Sequence, residues 1–196
     1  MATERHTRSL SGMFERSRTR FRSVRILRTS FCSSQVAIDF SSTQRYCCVV
    51  PIPGFQPDGL LPPGVHVATW NEIVVRFGVS PYRQGILGGL LDAARLLAKA
   101  KCTRLYLDGS LVTDKAFPGD FDACWDANGV DVVLLDPVFL DFSNRRAAQK
   151  ARFRGELFIS SATADTTGTT FLSFFQIDKN AGGPKGIVAL DLGGLP

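Results

Sequence analysis

Leu107-Asp108-Gly109-Ser110-Leu111-Val112-Thr113-Asp114-Lys115-Ala116-Phe117-Pro118-Gly119-Asp120-Phe121-Asp122-Ala123-Cys124-Trp125 is the stretch that decides the fold. It reads as a strand over 104–108 that ends in a Gly-Ser turn, a loop through Gly119, and a second strand over 121–125. So short a connection favours an antiparallel pair. Side chains alternate along a strand, so Asp120 and Asp122 share one face while Phe121 and Ala123 take the other. Two carboxylates on one face repel each other and are costly to desolvate unless a cation lies between them. The pattern points to a metal site.

Working outward, Thr69 with Glu72 predicts a capping box that opens a short helix through Phe77, stopped by Gly78. Ser80-Pro81 predicts an N-cap and a first-turn proline. The segment from Pro81 to about Lys101 follows, with Ile86, Leu87, Leu90, Leu91, Ala94, Leu97 and Ala98 at helical spacing. Gly85, Gly88 and Gly89 lower its helix propensity, which a close helix-to-sheet contact would explain. Upstream, Pro51-Ile52-Pro53-Gly54 and Leu60-Leu61-Pro62-Pro63-Gly64 read as turn and extended chain. Downstream, the apolar run 130–135 reads as a strand or a strand continuation, and Asp136-Pro137 starts a helix through Arg145, Arg146 and Lys150. Strands are expected over 156–160 and 186–192, with a loop over 160–170 and a short buried element over 171–176 between them. Helices and strands without strict alternation predict an α/β or α+β fold, a mixed sheet flanked by helices.

The chain has 196 residues and is 44% hydrophobic, enough for one domain with a real core. Its net charge of +5 is unevenly placed. Nine of the 23 basic residues and three of the 18 acids fall within 1–50, which leaves 14 against 15 for the rest. The body is neutral, so the overall basicity is a weak argument for nucleic acid. We read 1–50 as a basic, disordered extension and 51–196 as the domain. Composition alone also admits an organelle leader or an upstream start for the first segment. Five cysteines without a CxxC pair, and two histidines far from ligand spacing, argue against zinc. The odd count and the adjacent Cys47-Cys48 favour a reducing compartment, hence a cytoplasmic protein. No apolar run of membrane-spanning length and no secretory signal are seen.

Phosphoryl or nucleotidyl transfer needs metal, and the metal needs oxygen ligands at fixed positions. Asp120 and Asp122 are the candidates for Mg²⁺ (or Mn²⁺). Gly109 lets backbone approach a phosphate, Ser110 offers a hydroxyl and an N–H, and Lys115 offers a point charge to phosphate oxygens. Most other tempting features take bland readings. Arg145, Arg146, Lys150, Arg152 and Arg154 read as a solvated helix face, and Phe171, Phe174 and Phe175 as core. Trp70 and Trp125 read as packing residues, with Trp125 also a candidate border for a base pocket. Lys185, after a Gly-Gly-Pro turn, reads by default as a surface turn lysine and otherwise as lining the same cleft, and His66 reads as structural.

The stretch LDGSLVTDKAFPGDFDACW resembles the signature of the DNA polymerase β-like nucleotidyltransferase superfamily: apolar residue, Gly, Gly or Ser, then acid–apolar–acid nine to thirteen residues on. More broadly, 59–192 resembles an uncharacterised bacterial family within or close to it. The segments LLPPGVHVATWNE, DGSLVTDK, GDFDACWD, LDFSNRRAAQKARF and FFQIDKNAGGPKGIVALDL carry that likeness. The resemblance implies a nucleotidyltransferase-like mixed sheet, Ser110 at the triphosphate, Asp120 and Asp122 on Mg²⁺, and a third acid as metal ligand or general base. Glu156 is the candidate third acid, with Asp191 and Asp178 behind it. The implied activity is transfer of a nucleoside monophosphate from a nucleoside triphosphate to a hydroxyl of a protein, RNA or small molecule. The alternative is a catalytically degraded nucleotide- or protein-binding module, such as an antitoxin-like partner protein. The arginine usual a few residues after Gly-Ser has no counterpart here; Lys115 is the nearest substitute.

Overall fold

The computed structural model of the protein describes residues 52–196. The reading of 1–50 lies outside them. Strand β1 (Gly64–Ala68) is followed by helix α1 (Trp70–Phe77) and helix α2 (Pro81–Lys99). The predicted capping box forms: the Thr69 N–H donates to Glu72 Oε2 at 2.7 Å, and the Glu72 N–H donates to Thr69 Oγ1 at 3.3 Å. Ser80 caps α2 by accepting from the Arg83 N–H, and Pro81 sits in the first turn. Strands β2 (Arg104–Asp108) and β3 (Phe121–Trp125) then pair antiparallel, as the short connection requires. Helix α3 (Ala147–Phe153) crosses to β4 (Gly155–Ile159), which lies parallel to β3. A single-turn helix α4 (Phe171–Phe174) and β5 (Gly186–Asp191) complete the chain.

The sheet order is β1-β5-β2-β3-β4, with β5 parallel to β1 and antiparallel to β2. This is the expected mixed sheet flanked by helices, an α+β fold. Alternation divides the sheet into two faces. Leu105, Leu107, Phe121, Ala123, Trp125, Leu157, Val188 and Leu190 pack with Ile73, Phe77, Leu90 and Leu97 of α1 and α2 into the main core. On the opposite face, Cys124, Phe158 and Ile187 meet Phe175 just beyond α4 in a smaller cluster, flanked by Tyr106 and Phe171. That second face keeps polar positions at one end, and they form the site.

Three sequence expectations need correction. The run 130–135 is not a strand: Asp131 Oδ1 accepts the Val133 N–H and the Asp131 carbonyl accepts from Leu134, so the chain turns and Val132 and Val133 are exposed. Local Asp-to-backbone bonds here outcompete the ladder that an apolar run suggests. The helix expected from Asp136-Pro137 to Lys150 breaks into two short 3₁₀ turns, Pro137–Leu140 and Ser143–Arg145, ahead of α3. Asn144, Arg145 and Arg146 all hold positive φ, which ends any continuous right-handed helix. Lastly, β1 lies in a region that reads only as turn and extended chain. Its partner β5 comes more than a hundred residues later, and a two-proline entry masks its short alternation.

Candidate functional site

The site begins with Gly109. At φ +77° its backbone adopts a conformation that side chains resist, and a Cβ there would lie 3.1 Å from the Asp122 carboxyl carbon. The turn after β2 is thereby folded tightly against β3. Register aligns Asp108 of β2 with Asp122 of β3, and Asp122 with Glu156 of β4. All three belong to the face opposite the main core, because Leu107, Phe121, Ala123 and Leu157 fill that core. Asp108, Asp122 and Glu156 therefore form one row across three adjacent strands, with Asp120 just before β3.

Cations meet both ends of the row. The Lys185 ammonium donates to Asp108 Oδ1 at 2.6 Å, and both residues are buried. Lys150 of α3 pairs with Glu156. Arg146 lays its guanidinium over the Phe158 ring, 3.9 Å from its centre, and its buried Nε has no hydrogen-bond partner among the described residues. Burial lowers the Arg146 pKa, while Glu156 and Asp122 oppose that shift. Asp122 is left without such a pairing. Burial pushes its carboxyl up to about 6, with further repulsion from Asp120, Asp108 and Glu156 and partial relief from Lys179. Among the described residues no group of three His, Cys, Asp or Glu side chains is gathered to hold a metal.

A raised carboxyl pKa has a defined consequence for stability. The folded state prefers protonated Asp122, so ionisation between about pH 4 and pH 6 costs folding free energy, and the full cost persists above that range. Asp122→Asn is expected to raise the thermal midpoint by roughly 2–4 °C at pH 7.5 and to leave it unchanged near pH 4. Melting curves at the two pH values check this; equal midpoints at pH 7.5 would remove the buried-charge account.

The other expected site residues sort clearly. The Ser110 hydroxyl donates to the Asp120 carbonyl at 3.4 Å, so the turn and the Asp-Phe-Asp strand touch. Lys115 lies on the loop with its side chain exposed, while its carbonyl accepts from Arg83. Asp191 is not in the row: it sits opposite Arg104 at the far end of β5 and accepts from the Gly193 N–H. Asp178 is spent on a loop, accepting from the N–H groups of Asn180 and Ala181. Trp125 faces the main core, away from the acids, and borders no base pocket beside them. His66 is structural, with Nε2 at 2.7 Å from the Pro62 carbonyl oxygen.

The basic cluster of 145–154 is not one solvated face. Lys150 and Arg146 turn toward the acids, Arg152 pairs with Asp136 at 2.8 Å, and Arg154 reaches over Tyr82. Sequence reasoning also missed Asp108, and its default reading of Lys185 as a surface lysine gives way to the cleft reading. Asp108 stands inside the stretch that points to the site, two residues before Ser110. Lys185 has no sequence mark beyond its turn, because its partner is 77 residues away.

The family model described as "Family of unknown function (DUF6932)" matches residues 53–191, and the chain belongs to that family. The match spans every residue of the acid row. No curated protein and no solved structure shows a significant match to the chain.

Proposed function

We propose that this chain binds a magnesium nucleoside triphosphate on the polar face of its sheet and transfers a nucleoside monophosphate to a hydroxyl of a protein, RNA or small molecule. The observation that carries the reading is the register of Asp108, Asp122 and Glu156 across β2, β3 and β4, directly behind the Gly109-Ser110 turn. The donor set suits a divalent ion: oxygen ligands only, and a carboxyl at position 122 whose ionisation burial penalises and a cation would favour. Asp120 and Asp122 would hold Mg²⁺ or Mn²⁺, with Glu156 joining them when Lys150 releases it. The ion would supply charge neutralisation for the triphosphate.

The chain's own groups do the rest. Gly109 lets the turn close against Asp122, and Ser110 donates its hydroxyl and N–H to the phosphate oxygens. Lys150, freed from Glu156, and Lys115 add positive charge on the phosphate side. Glu156 would accept the proton of the incoming hydroxyl. No helix of the described residues is long and apolar enough to cross a membrane, and Cys102 and Cys124 are free thiols. Both facts suit the cytoplasmic location we propose.

The Lys150–Glu156 pair also favours a second reading. A third acid already neutralised by the protein suits a module that retains nucleotide or partner-protein binding without turnover, as an antitoxin-like partner would. The first test addresses binding. Asp120→Asn combined with Asp122→Asn is expected to weaken MgATP binding by roughly a hundredfold or more, with the circular dichroism spectrum retained. Unchanged affinity by titration calorimetry would sink the site. Label transfer from α-phosphate-labelled triphosphates to protein or RNA then separates the transferase from the binding module.

A further inference from the structure

Arg83 is a charged side chain almost wholly withdrawn from water, at 3% exposure. Among the described residues its guanidinium donates only to backbone carbonyls. Nε donates to Phe77 O at 2.6 Å, Nη1 to Lys115 O at 2.6 Å, and Nη2 to Leu111 O and, at 3.5 Å, to Thr113 O. Among the described residues it takes part in no ion pair, and burial alone lowers its pKa. A buried guanidinium is ordinarily matched by a carboxylate, because an uncompensated buried charge is costly. Here the charge is solvated by carbonyl dipoles, and a net positive charge remains beneath the loop that joins β2 to β3.

Three of the four acceptors lie on that loop, at alternate residues 111, 113 and 115. The fork spans them from α2, while Phe77 O ties it to the end of α1. The neighbouring Tyr82 hydroxyl donates to Pro118 O at 2.9 Å, so two successive α2 residues hold both halves of the loop. Thr113 Oγ1 closes the near half by donating to Ser110 O at 2.9 Å. Five donors in a rigid plane suit such a span of carbonyls, and a lysine ammonium does not reproduce it.

We infer that Arg83 is a positioning residue that fixes the 110–115 loop as an anion-binding turn and lends it a positive charge from α2. The inference rests on the reading of that loop as the phosphate site. It adds to that reading the residue that shapes the site and the class of ligand selected, a polyphosphate. Its electrostatic part favours any multiply charged phosphate at Ser110, with or without a nucleoside.

The test uses the full chain with Arg83→Lys and Arg83→Met, the lysine variant keeping the charge in case the methionine variant does not fold. Hydrogen exchange of amides 110–116 is expected to speed up in Arg83→Lys. Affinity for magnesium tripolyphosphate and for MgATP is expected to fall about tenfold in Arg83→Lys and further in Arg83→Met. Affinity for Mn²⁺ alone, read by paramagnetic resonance, is expected to stay within about twofold, since the aspartates are untouched. Loop exchange unchanged in Arg83→Lys overturns the inference, as does an equal loss of Mn²⁺ affinity, which would signal general unfolding. Tripolyphosphate bound normally by a loosened loop overturns it as well. If wild-type protein binds tripolyphosphate through Arg83 but no nucleoside triphosphate, the positioning role stands and the nucleotide reading fails.

Discussion

Gly89→Ala is expected to destabilise the protein by about 3 kcal/mol or more. Alanine is normally the better helix former, by about 1 kcal/mol over glycine. At this position tertiary contact reverses the sign. A Cβ on Gly89 would lie 2.6 Å from the Phe153 carbonyl carbon and 3.1 Å from its Cα, both backbone atoms that cannot swing aside. Phe153 ends α3 and is fully buried beside Phe139, so α3 cannot retreat without opening the core. Gly88 is the internal control: nothing lies within 4 Å of a Cβ there, so Gly88→Ala should be neutral or slightly stabilising. Urea denaturation of the two variants side by side reads the difference. Equal midpoints would mean that α2 and α3 do not abut as described.

The three helical glycines show where sequence reading stops. Their cost to helix propensity is visible in the sequence, and a close contact is the right kind of explanation. The partner, however, is not the sheet. Gly89 admits the backbone at the end of α3, Gly85 lies under the Arg154 guanidinium, and Gly88 faces open space. Periodicity reports which residues share a face, whereas the element that the face meets depends on connections formed far along the chain. The same limit separates the site residues. Asp120, Asp122, Gly109 and Ser110 are legible because they lie within fourteen residues and two strands joined by a short loop. Glu156 follows from its strand. Asp108 reads as the last residue of a strand with no role assigned to it, and its register places it beside Asp122. Arg83 and Lys185 are unreadable for a different reason. Their meaning lies in burial and partners, and an arginine near a helix start or a lysine after Gly-Gly-Pro is ordinarily a surface residue.

Lys185→Met should destabilise the protein by about 3–5 kcal/mol at pH 7.5, a loss far outside the range for a surface lysine, where about 0.5 kcal/mol is usual. The ammonium sits 2.6 Å from Asp108 Oδ1, and the side chains are 10% and 2% exposed. Methionine fills similar space but leaves Asp108 ionised, buried and unpaired, next to Asp122 in the acid row. Asp108→Asn in the Lys185→Met background removes the orphaned charge and should restore most of the stability. Urea titrations of both variants at pH 7.5 decide the matter. No recovery in the double variant would mean that Lys185 acts by packing alone. The expected outcome instead makes Lys185 the counter-charge to one acid of the row, which leaves Asp120 and Asp122 available for a ligand. Four like charges gathered at one end of a sheet would otherwise repel, and Lys185 with Lys150 offsets half of them.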